Sequence, residues 1–120
     1  MEKHVRIGML LDIYGGMLTE AQRNALRMHY DEDMSLREIA ENSEQGEASR
    51  QAVRDRIVRG EQHLEKLEEK IGALDVRMEM RERLNRLKGL VRQCGVASVS
   101  AETDVIVAEW EEKNGFGFSG

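Results

Sequence analysis

Ser49-Arg50-Gln51, followed by Arg54 and Arg59, is the set of residues in this 120-residue chain whose types and spacing could do specific chemistry. Arg presents two donors that fit the acceptor pair of guanine, and Gln matches the donor–acceptor pair of adenine. A serine at the start of a helix, together with the free backbone amides there, can hold a phosphate. On this reading Arg50, Gln51 and Arg54 are the base-edge candidates. Ser49 and Arg59 are the phosphate contacts that fix register.

Such residues act only if helices present them. Ser35–Arg59 reads as two short amphipathic helices, the second opening at Ser49, which is the pattern of a helix-turn-helix. Ser35-Leu36-Arg37-Glu38 is a capping box that opens the bracing helix, with Leu36, Ile39 and Ala40 inward. The turn is assigned to the polar Asn42–Ala48 around Gly46. A plain helical corner with a solvated arginine face satisfies the same pattern, and spacing alone leaves the two readings level.

Upstream, Ile7, Leu10, Leu11 and Tyr14 form one buried stripe of a helix over about His4–Tyr14. Gly15-Gly16 is expected to end it in a left-handed cap. Thr19-Glu20-Ala21-Gln22 reads as a second capping box, starting a helix that ends near Tyr30 and turns Ala25, Leu26 and His29 inward. Downstream, Val53 and Ile57 begin an inward stripe. Ile57, Leu64, Ile71 and Met78 then recur every seven residues, with Leu67 and Leu74 between them and Leu84, Leu87 and Val91 beyond. Either an intramolecular hairpin or a self-association seam accounts for this stripe. Cys94-Gly95 closes it. Ser100–Lys113 reads as a last helix capped by Ser100, with a short strand at Val105–Val107 as the alternative and Trp110 as a packing anchor. Asn114–Gly120 reads as disordered.

Composition agrees with an all-α chain: no proline, five aromatics, 34% charged residues. The net charge of −5 argues against nucleic acid, but charge is segregated along the chain. Asp31–Glu47 holds seven acids against Arg37, whereas Ser49–Arg59 holds four arginines against Asp55. Arg77–Arg92 holds six basic residues against Glu79 and Glu82, and reads as a solvated helix face or as a second contact for nucleic acid such as a structured RNA. His4, His29 and His63 are scattered and Cys94 is alone, so no enzyme, metal or cofactor is expected, and the abundant carboxylates read as solvated. The lone cysteine and the charged, glycine-broken Val5–Leu18 stretch place the chain in the cytoplasm without a membrane span.

LTEAQRNALRMHYDEDMSLREIAE followed by SRQAVRDRI resembles the C-terminal helix-turn-helix region of bacterial sigma factors. More closely, Met9–Leu67 resembles the YlxM-like family of helix-turn-helix proteins encoded beside signal recognition particle genes. The residues that carry the likeness are Leu11-Asp12-Ile13-Tyr14, Leu18-Thr19…Gln22, Tyr30…Asp33…Ser35-Leu36…Glu38-Ile39-Ala40-Glu41 and Ser49-Arg50-Gln51-Ala52-Val53…Asp55…Ile57…Arg59. This sequence departs from the family in a longer Ala40–Ser49 linker and in having Arg54 where an aromatic residue is usual. The resemblance implies a sigma region-four-like domain and a cytoplasmic regulatory protein with RNA polymerase or signal recognition particle components as partners.

The expected organisation is a helix-turn-helix domain over 1–60, a helical extension over 61–113 that pairs two copies as a homodimer, and a tail over 114–120. The expected function is DNA binding with a regulatory outcome. The rivals are a protein-interaction module that reads no DNA and an RNA-binding accessory protein.

Overall fold

A computed structural model describes residues 1–42 and 49–116, so the expected turn around Gly46 and the end of the tail lie outside the described residues. Among the described residues the secondary structure is helical throughout: α1 (Lys3–Tyr14), α2 (Glu20–Tyr30), α3 (Leu36–Glu41), α4 (Arg50–Ile71), α5 (Ala73–Gln93) and α6 (Ala97–Lys113). The chain divides at Gly72 into two units, 1–72 and 73–120. Gly60, the boundary expected from the sequence, lies buried inside α4. Gly72 ends α4 instead: its φ of +71° is the left-handed cap conformation, and its N–H donates to the Glu68 carbonyl. The heptad stripe therefore does not run along one helix. Ile57 and Leu64 are buried in the first unit, while Ile71 at the break is exposed.

In the first unit α4 is the spine, packed by α1, α2 and α3. Its core comprises Ile7, Leu10, Leu11 and Tyr14 from α1, Leu18, Ala25 and Leu26, Ile39 from α3, and Val53, Ile57 and Leu64 from α4. The expected stripes of α1 and α4 are thus the buried ones. Ser35 and Glu38 form the complete reciprocal box, with the Glu38 amide donating to Ser35 Oγ at 3.1 Å.

Two local readings are corrected. Gly15 is right-handed at φ −53°, so α1 tightens into a 3-10 turn over Gly15–Met17 and ends at extended Leu18, which this turn delivers into the core. Thr19 caps α2 by accepting from the Gln22 amide at 3.1 Å, but the return half of that box is absent. The Gln22 side chain lies instead at the crossing of α2 with α4, where its Oε1 is buried without a partner among the described residues.

In the second unit α5 and α6 form an antiparallel hairpin, fixed by Arg81–Glu111 at 3.1 Å and Arg92–Asp104 at 3.2 Å. Gly95, φ +75°, reverses the chain at once, so α6 begins at Ala97 with Val96 as its N-cap residue. Ser100 is therefore inside the helix and not its cap, and Val105–Val107 is helical. The tail reading also fails at its start: Phe116 is 1% exposed, stacks on Trp110 with ring centroids 5.7 Å apart and lies under the Arg81 guanidinium. Arg81 and Arg92, two of the basic residues of Arg77–Arg92, are thus committed to the acidic helix α6.

Candidate nucleic-acid interface

The first turn of α4 is built from its cap outward. Ser49 Oγ accepts from the Ala52 amide at 3.0 Å, which fixes where the helix begins and leaves the other amino-terminal N–H groups outward. Val53, Ile57 and Gly60 are buried, and this inner side dictates by 100° steps which residues point away. Ser49, Arg50, Gln51, Arg54 and Arg59 are all exposed.

They do not form one cluster. Arg50 and Arg54 lie one turn apart on the same edge of α4. Gln51 lies on the outermost face. Arg59 lies half a revolution round from Arg50 and roughly 14 Å further along the axis. Asp55, which the sequence reading did not place in the site, occupies the middle of this face and accepts from the Gln51 side-chain amide at 3.4 Å. That contact orients Gln51, and it puts a negative charge between the cations. The helical period of α4 was a sufficient signal for finding it.

No ion pair engages Arg50, Arg54 or Arg59 among the described residues. The described acids of the bracing segment are partly committed: Glu41 pairs with Arg37 at 3.1 Å, and Glu38 closes the capping box. Asp33 holds a positive φ of 53° in the turn before α3, with His4 at 3.7 Å.

Further along α4 the same edge that carries Arg50 and Arg54 turns acidic, with Glu61, Glu65 and Glu68. These carboxylates are not freely solvated, contrary to the expectation. Tyr14 Oη donates to Glu68 Oε1 at 2.7 Å, and Glu68 is 5% exposed. Arg6 forms a two-pronged pair with Glu65, both contacts at 2.8 Å. Glu61 takes the Tyr30 hydroxyl and Lys3 Nζ, the latter at 3.3 Å. The Arg6 hydrogen bond holds the Glu65 carboxyl below the ordinary glutamate range. Burial, then the hydrogen bond and charge of Glu61, push the Tyr30 hydroxyl well above its usual value. The acidic half of the edge is thereby partnered by side chains of α1 and α2, and the basic half is presented outward.

Among the described residues there is no group of three His, Cys, Asp or Glu side chains placed to hold a metal, and no helix is long and apolar enough to cross a membrane.

Residues 1–111 match the model of a family, UPF0122, described as "Putative helix-turn-helix protein, YlxM / p13 like". The chain is 42% identical over 113 residues to a UPF0122 protein of Geobacillus kaustophilus, covering 93% of this chain and 97% of that one. It is also 42% identical over 108 residues to the UPF0122 protein YlxM of Bacillus subtilis, 90% of each chain. A UPF0122 protein of Clostridium kluyveri is 44% identical over 82 residues, 68% of this chain and 71% of its own. No solved structure matches the chain.

Proposed function

We propose, because the chain belongs to the UPF0122 family of YlxM- and p13-like helix-turn-helix proteins, that it is a cytoplasmic DNA-binding regulator that reads duplex DNA with the first two turns of α4. The observation that supports this is the Ser49-capped start of α4, with Arg50 and Arg54 exposed, unpaired among the described residues and adjacent on one edge. Arg50, Gln51 and Arg54 take the base edges; Ser49 and Arg59 take phosphates on either side. The companion proposal, contact with RNA polymerase or signal recognition particle components, is supported by the family resemblance alone.

Selection from a random duplex library by gel shift tests the reading. The expected result is an enriched sequence bound in a salt-sensitive manner, with Arg50→Ala and Arg54→Ala each weakening binding by about 1–3 kcal/mol, roughly 5- to 150-fold. Asp55→Asn is expected to tighten binding by removing the central negative charge. No enrichment, together with no affinity at low salt, ends the proposal. The position of Asp55 favours one rival, an α4 face that docks on a basic protein surface, and on that reading Asp55→Asn weakens the complex.

A further inference from the structure

The hairpin of α5 and α6 leaves much of its apolar surface without a partner. Eight of the twelve large apolar side chains exposed among the described residues belong to it. Val76, Met80 and Leu87 are 62%, 41% and 55% exposed on α5, and Val99 and Ile106 are 49% and 58% exposed on α6. Their spacings of four and seven residues place them in one stripe per helix. Arg81–Glu111 and Arg92–Asp104 define the sides on which the helices meet. Each stripe lies about 130–140° round its helix from that contact, and because the helices are antiparallel both stripes turn to the same face of the hairpin.

We propose that this face is covered by a second copy of the chain, forming a four-helix bundle in which α5 of each copy lies on α6 of the other. Charge selects this occupant and this arrangement. The outer rim of the α5 stripe carries Glu79 and Arg83, and the outer rim of the α6 stripe carries Glu109 and Lys113. A two-fold axis along the bundle repeats across the interface the axial register that Arg81–Glu111 sets within the hairpin. That register places Arg83 opposite Glu109 of the second copy and Glu79 opposite Lys113. All neighbouring helices are then antiparallel, as in ordinary four-helix bundles, and the interface is isologous. Stacking α5 on α5 instead brings two basic helices together. The assembly carries two copies of the recognition turn of α4, which suits a DNA site made of two related half-sites.

Sedimentation equilibrium of the full chain without DNA tests this independently of the proposed DNA reading. The expected result is a dimer that dissociates in Leu87→Glu and in Ile106→Glu, with the helical circular dichroism signal of each variant unchanged, since both side chains already face water in one copy. Arg83→Glu is expected to weaken association several-fold, and adding Glu109→Arg to restore it. A wild-type chain that stays monomeric to high micromolar concentration, or a Leu87→Glu variant that stays dimeric, overturns the proposal. Failure of Glu109→Arg to rescue Arg83→Glu overturns the α5-on-α6 arrangement.

Discussion

Gly60 is where α4 meets α2, and substituting it separates two effects that usually travel together. A Cβ at this position would lie 2.7 Å from Leu26 Cδ1 and 3.3 Å from Leu26 Cγ. Leu26 is fully buried, so the first of these is about 1 Å short of contact with little room for retreat. Replacing a helix-interior glycine by alanine contributes about 1 kcal/mol through backbone entropy and propensity. Overpacking a filled core costs about 1–3 kcal/mol. Gly60→Ala should therefore come out between neutral and about 2 kcal/mol destabilising. Gly8, inside α1 of the same unit, has nothing within 4 Å of an added Cβ, so Gly8→Ala keeps the whole gain. Urea unfolding of both variants, followed by circular dichroism, should place Gly8→Ala above Gly60→Ala by about 1–3 kcal/mol. The melting temperatures should separate by roughly 4–8 °C for each kcal/mol in a unit of this size. If Gly60→Ala stabilises as much as Gly8→Ala, the close crossing of α2 and α4 is wrong.

Tyr14→Phe removes a donor from the buried Glu68 carboxylate and is expected to cost about 1–3 kcal/mol in denaturant unfolding. Tyr30 has its hydroxyl raised in the fold, so the stability it confers is complete below the ordinary tyrosine value near pH 10 and is lost as pH rises through the raised value. Tyr30→Phe should flatten that alkaline loss in unfolding measured against pH. Glu65 is held low by Arg6, so its contribution is present above the ordinary glutamate value and disappears as pH falls through the lowered one. Because the pair is well exposed, Arg6→Ala should cost at most about 1 kcal/mol near neutrality and less in acid, which urea titrations at the two pH values will read.

Features set by a few neighbouring residues were legible in the sequence. The Ser35–Glu38 box, the Ser49 cap and the inward residues Val53 and Ile57 depend on spacings of three and four, and all stand in the fold. The exposure of Arg50, Gln51, Arg54 and Arg59 followed from that same period. What the sequence concealed depends on partners far along the chain. Glu65 and Glu68 look like solvated helix carboxylates until Arg6 and Tyr14, more than fifty residues away, are folded onto them. The heptad stripe from Ile57 onward concealed the break, because the apolar period continues across Gly72 while the backbone does not. Ser100 looked like a cap because its residue type suits one; the left-handed Gly95 had already started α6 a turn earlier.

The division of α4 along its length has a consequence for how such a protein diversifies. Its second half is clamped by Lys3, Arg6, Tyr14 and Tyr30, while in its first half the outward positions 50, 51, 54, 55, 58 and 59 are all exposed and none enters an ion pair among the described residues. Substitutions at those six positions are buffered from folding, so under the proposed function the preferred DNA sequence can drift, or be re-engineered as an interchangeable cassette, at nearly constant stability.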